Sequence, residues 1–177
     1  MTHKATAIDS YDFKPEDELF LDTNIWMFVY GPQRPGDAKA AVYSQALSRI
    51  LAAQSRIYID VLILSEFINT YARLKWNQTA SHIKFKAFRN SPDFKPVAQD
   101  IAADVKLVLK HCLQIEDGFE VLDLDDLMDG YAAGECDFND QIIVALCKRK
   151  GLKLVTDDGD FNAQEIPLVT ANRRLLS

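Results

Sequence analysis

Four carboxylates pose the chemical question in this chain: Asp22, Glu66, Asp140 and Asp158. Asp22 closes the apolar run of "ELFLDTNIWMFVY", Glu66 and Asp140 sit at the starts of helix-like patterns, and Asp158 follows "LKLVTD". Singly, each has an ordinary explanation. Asp22 is a good helix cap, and Glu66 shares a polar face with Asn69, Thr70 and Arg73. Asp140 suits a helix dipole, and Asp158-Gly159 suits a turn. Gathered at one place they would repel, steeply so where solvent is excluded, unless a cation lay between them. An all-oxygen set without His or Cys fits hard Mg²⁺ or Mn²⁺ rather than zinc. Such ions can bridge a phosphodiester, activate water and steady a leaving oxyanion, so the chemistry implied is metal-dependent phosphodiester hydrolysis.

Whether the four converge depends on the elements that carry them. Strand-like runs occur at 19–22, 57–64, 119–124 and 152–157, with a weaker one at 167–170. Helical patterns fill 36–54, 65–76, 98–115 and 139–151. Ser65 and Asn139 are the expected N-caps of the second and fourth, and Gly151 the residue just past the end of the last. The "NSPDFKP" stretch at 90–96 reads as a loop between helices. Strands alternating with helices imply a three-layer α/β/α sandwich around a central parallel sheet. In such sheets ligands collect beyond the carboxyl ends of the strands, the edge on which these acids would meet.

Composition sets the frame. At 177 residues, 48% hydrophobic and 26% charged, the chain fits one soluble domain over 18–177 with a loosely held polar arm at 1–17. No secretory h-region precedes the first strand, and no apolar run approaches the roughly 20 residues that span a bilayer, so the expected setting is cytoplasmic. Three cysteines (Cys112, Cys136, Cys147) without a CxxC pair suit reduced thiols, and His3, His82 and His111 are too scattered for a zinc site. The net charge of −6 conceals an uneven distribution. Ten acids and no Lys or Arg fall between Glu116 and Asp140, whereas Arg73 to Lys95 holds six basic residues and one acid. A protein can hold phosphates at one surface and cations at another, and both runs also suit solvated helix faces.

The blocks "FLDTNIW", "LSEF" and "DFNDQIIVALCKRKGLKLVTDDGDF" resemble, in order, the motifs of PIN-domain ribonucleases, including VapC-type toxins of toxin–antitoxin pairs. The resemblance spans roughly residues 18 to 170 and implies a PIN-like fold. It matches Asp22, Glu66, Asp140 and Asp158 to the acidic metal-binding positions, and Asn24 and Thr156 to the polar positions that orient them. It implies an Mg²⁺- or Mn²⁺-dependent endoribonuclease acting on RNA, with an antitoxin protein and a second copy of the chain as partners. In the last block Asp160 could share the role of Asp158, and Asp137 is an additional ligand or a helix cap. The basic residues Lys75, Lys84, Lys86 and Arg89 are candidates for RNA phosphates. The apolar cluster Ile25 to Tyr30 exceeds one short helix face, so most is expected in the core and part at an interface.

Two other classes compete. One is a catalytically silent protein on the same fold that receives a partner's basic peptide in an acidic pocket. The other is a phosphoryl-transfer enzyme with Asp22 as nucleophile. Against the latter, Asp22 is followed by Thr-Asn-Ile, without the second Asp two residues on that many aspartate-based phosphatases carry.

Overall fold

Residues 5–32, 36–134 and 137–177 are described in the computed structural model; His3, Glu135 and Cys136 lie outside them. Leu19, Phe20 and Leu21 form the last three residues of β2 (Glu18–Leu21), and all three are fully buried. A strand buried on both faces must have helices on both sides. It pairs in parallel with β3 (Arg56–Ile59) on one flank and β5 (Lys153–Val155) on the other. Beyond these lie β4 (Cys112–Gln114), β6 (Leu168–Thr170) and the short β1 (Thr6–Ala7), in the order β1-β6-β5-β2-β3-β4. Every pairing is parallel.

From β2 the chain steps outward to β3 and β4 through α1 (Thr23–Tyr30), α2 (Ala38–Ala52), α3 (Val61–Thr79), α4 (Phe85–Arg89) and α5 (Phe94–His111). Among these, α1 packs on α2, α3 and α5, and α3 packs on α5. It then returns to the other side of β2 through α6 (Leu124–Ala132) and α7 (Phe138–Lys150), which pack on each other. Right-handed crossovers taken in opposite directions put the two helix groups on opposite faces, which completes the α/β/α sandwich. The reversal falls between β2 and β5, the topological switch point of the sheet.

Several boundaries differ from the sequence reading. The run 57–64 is not one strand. Asp60 stops β3 and caps α3, accepting from the Ile63 N–H at 2.9 Å, so the cap is Asp60 and not Ser65. Val61 to Leu64 are helical because Ile63 and Phe67, four apart, both enter the core. The run 98–115 contains two elements, with α5 ending at His111 and Cys112–Gln114 pairing with Ile57–Ile59 as β4. The expected loop at 90–96 ends early, since α5 begins at Phe94. The expected strand at 119–124 is a 3₁₀ turn at Phe119–Val121 followed by the Asp123 cap of α6. Its apolar alternation meets no partner strand, and Phe119 and Val121 stay exposed. Asp137, rather than Asn139, caps α7 through the Asn139 N–H at 2.9 Å.

The amino-terminal segment is more firmly held than its polarity suggests. Beyond residues 1–4, which lie outside the description, β1 pairs with β6 and the side chains of Ile8 and Phe13 join the core. Arg49 donates to the Ile8 carbonyl at 2.9 Å and to that of Tyr11, and buried Asp17 pairs with Lys153. The expectation of a loose arm is therefore corrected from residue 5 onward. Ile25 and Trp26 are buried, while Met27 to Tyr30 are half-buried against the core. Cys112 and Cys147 are free thiols, and burial pushes both up to about 12. Among the described residues no helix is long and apolar enough to cross a membrane.

Candidate metal centre

The switch point fixes Asp22 first. Its backbone N–H donates to the Val155 carbonyl at 3.0 Å, so the residue is tied to β5 as the chain turns into α1. Its carboxylate does two jobs. One oxygen caps α1 through the Thr23 N–H at 2.6 Å, and the other accepts from the Thr156 hydroxyl and the Asn24 amide, both at 2.6 Å. Capping and membership of an acidic group coexist in one side chain.

Asn24 and Thr156 knit the two sides of the switch together. Asn24 Nδ2 also reaches Thr156 Oγ1 at 3.3 Å, and its Oδ1 accepts from the Asp157 N–H at 3.2 Å. Thr156 is fully buried, and its hydroxyl accepts from the Asp158 N–H at 3.0 Å. That bond sets the start of the 3₁₀ turn Gly159–Ala163, which Asp158 caps by accepting from the Asp160 N–H at 3.0 Å.

Glu66 arrives from the second turn of α3 and Asp140 from the first turn of α7, both half-buried. The mutual influence of the acids shows how they are grouped. Burial pushes Asp22 up to about 6 against the pull of its hydrogen bonds, and the charges of Glu66 and Asp158 add to the rise. Asp140 is pushed up to about 7, by burial first and then by the charges of Asp22, Asp158, Asp137 and Glu66. Glu66 is also raised, by burial and by Asp137 and Asp158, while the Thr23 hydroxyl beside it favours the ionised form. Asp137 thus caps α7 and contributes to the same field. Asp160 is exposed and is absent from the charges acting on Asp22, Glu66 or Asp140, so it stands apart from Asp158.

The basic candidates are elsewhere. Lys75 is nine residues beyond Glu66 along α3, about 13.5 Å down the helix axis. Lys84, Lys86 and Arg89 follow after that helix has ended, and all three are exposed. Close to the site is a cation that the sequence reading passed over: Lys39 of α2 pairs with buried Asp157. Nothing in its spacing marked it out, because a lone exposed Lys at a helix start has no pattern.

Among the described residues no three His, Cys, Asp or Glu side chains stand arranged to hold a metal ion. The donor chemistry nevertheless suits a hard divalent cation. It is all carboxylate and hydroxyl oxygen, with neighbouring negative charges adding to the rise of Asp22 and Asp140 and, among the described residues, no Lys or Arg bonded to Asp22. Asp22 is fixed by three hydrogen bonds, whereas Glu66, in the second turn of α3, and Asp140, in the first turn of α7, are half-buried side chains with rotamer freedom to turn toward a shared ion.

Comparison with known proteins agrees with this geometry. The family profile described as PIN domain matches residues 19–167. Among solved structures, VapBC2 from Rickettsia felis, bound to a DNA fragment from its promoter, aligns with a TM-score of 0.56 at 16% identity. That alignment covers 86% of this chain and 98% of the other. PAE2754 from Pyrobaculum aerophilum aligns with a TM-score of 0.53 at 15% identity over 99% of this chain and 96% of its own. At these identities the likeness concerns the fold. No curated protein matches.

Proposed function

The chain belongs to the PIN domain family, and from that premise we propose that it is a metal-dependent endoribonuclease, the toxin of a type II toxin–antitoxin pair acting in the cytoplasm. The observation that carries the reading is that Asp22, Glu66 and Asp140 are all raised at the switch point, by burial first, with the charge of Asp158 adding to the rise of all three and that of Asp137 to the rise of Glu66 and Asp140. Carboxylates that resist ionisation together are poised to take up a cation in place of protons. Asp22, Glu66, Asp140 and Asp158 would hold Mg²⁺ or Mn²⁺, with Asp137 a further carboxylate acting on Glu66 and Asp140. A bound divalent ion supplies activation of water and neutralisation of charge on a phosphodiester.

The chain's own residues perform the rest. Asn24 and Thr156 keep the Asp22 carboxylate facing the group by donating to one oxygen, and the Thr23 N–H anchors the other. Asp140, half-buried and pushed up to about 7, can hold or release a proton near neutrality, and Glu66 is raised in the same direction. The helix starts at Asp22 and Asp137 aim backbone N–H groups toward the same edge, where they would orient a phosphate backbone. The basic residues Lys75, Lys84, Lys86 and Arg89 would engage more distant phosphates of a long RNA. An antitoxin protein and a second copy of the chain are the partners in this reading, and the relative crystallised as VapBC2 supports the first.

The test is cleavage of labelled RNA by wild type and Asp140→Asn with Mg²⁺, with Mn²⁺ and with EDTA. The reading requires cleavage that needs metal and is lost in folded Asp140→Asn. Equal cleavage by both proteins, or none by either together with no metal uptake in calorimetry, would overturn it.

A further inference from the structure

Asp157 is the buried acid of "TDDGD". Its side chain is buried, yet its charge is absent from those that raise Asp22, Glu66 and Asp140. It turns instead toward α2, where one oxygen accepts from the Tyr43 hydroxyl at 2.8 Å and the other pairs with Lys39. Its main chain is held as well: the N–H by Asn24 Oδ1 at 3.2 Å and the carbonyl by Asn172 Nδ2 at 2.6 Å. Tyr43 is fully buried, stacks on Phe28 at 5.5 Å, and accepts from the Ala171 N–H at 3.0 Å. One residue therefore ties α1, α2, the end of β5 and the segment after β6 to a single point.

A further carboxylate buried beside an acidic group is unfavourable in itself, and a turn alone does not require one. Its orientation explains it. Asp157 lies between Thr156, whose hydroxyl donates to Asp22, and Asp158, whose N–H donates to Thr156, and its own N–H donates to Asn24, which also donates to Asp22. We propose that Asp157, anchored by Tyr43 and Lys39, is a positioning residue that fixes Thr156, Asp158 and Asn24 around Asp22 and so sets how the acids close on a divalent ion. The proposal rests on the metal-dependent reading above. Lys39 neutralises the anchor from the solvent side, and Tyr43 supplies its direction from the core. Without that hold, the Asp157 N–H that fixes the Asn24 Oδ1 would shift, and Asp158 would ride on a loosened turn.

Three full-length variants test it: Asp157→Ala, Asp157→Asn, which keeps an acceptor for Tyr43, and Tyr43→Phe, which keeps the stack on Phe28. For each, Mn²⁺ affinity is measured by calorimetry, kcat and KM on RNA are separated, and amide exchange is followed at Asp158 and the Asn24 side chain by NMR. The expected result for Asp157→Ala is Mn²⁺ affinity weakened about 10–100-fold with kcat reduced and KM unchanged. Exchange at Asp158 should quicken, Tyr43→Phe should move the same quantities less, and Asp157→Asn should recover most of them. Wild-type Mn²⁺ affinity and wild-type exchange in Asp157→Ala would overturn the proposal. If that variant does not fold, the same two readouts in Tyr43→Phe decide it. If the wild type neither binds Mn²⁺ nor cleaves RNA, the functional reading fails by itself, and unchanged exchange would sink the anchor as well.

Discussion

Asp22 accepts three hydrogen bonds while almost fully buried, and that combination makes its neighbours' contributions measurable. Thr156→Val keeps the shape of the side chain but removes a donor to a buried carboxylate. The expected loss is about 2 kcal/mol in urea unfolding, with Asp22 titrating above its value of about 6 in NMR. The acids also set a pH dependence. Folded values of about 6 for Asp22 and about 7 for Asp140 exceed the roughly 3.9 of an unfolded aspartate. Between those limits the folded chain holds more protons than the unfolded one, so stability from these groups is full below the unfolded value and falls as pH rises through the folded values. Metal-free protein should therefore lose Tm as pH rises from about 4 to about 7. Asp140→Asn should lose less and be the more stable near the upper limit, the two curves meeting at the lower. A gap that is constant with pH would refute the coupling. Mn²⁺ at about a hundred times its Kd should restore roughly 2.7 kcal/mol to the wild type.

At the scale of elements, the helices' punctuation carries the stability that can be tested one residue at a time. Gly151 ends α7 at φ 69°, the left-handed region, with open space where a Cβ would go. Gly151→Ala should cost about 1 kcal/mol from backbone strain alone, a Tm decrease of roughly 2–4 °C for a chain of this length. A neutral result would mean the turn relaxes. That glycine was legible in the sequence, as were β2, β5, α2 and α7, because each has a clear period and clear end signals. Residues 57–64 were not, because an unbroken apolar run looks the same as strand or helix, and only Asp60 marks the change. Cys112–Gln114 gave no signal of its own, since a three-residue edge strand is defined by its partner at Ile57–Ile59. The candidate site was legible as a set of acids, and Asp22, Asn24 and Thr156 are indeed bonded together. Lys39, Tyr43 and Asn172 were not, because they meet Asp157 only through the fold.

For the whole molecule, the sheet is closed at its amino-terminal edge by a segment whose composition suggested none of this. Ile8 is 1% exposed and packs in the main core. Ile8→Ala should destabilise by about 3 kcal/mol, as a core truncation does; a change below about 0.5 kcal/mol in equilibrium unfolding, the surface range, would mean that the segment is dispensable. The parallel order places β2 between strands from opposite halves of the chain, and the Thr156–Asp22 bond joins residues 134 apart in sequence. This has a temporal consequence. A chain growing from its amino terminus exposes Asp22 and Glu66 long before β5 exists to receive them. The partners of Asp22, the Val155 carbonyl and the Thr156 hydroxyl, are made more than a hundred residues after it. Until then β2 lacks its central partner, and the acids stay apart, solvated and ordinary. Whatever the assembled site can do, a copy emerging from a ribosome cannot do it before β5 and the turn after it have been made.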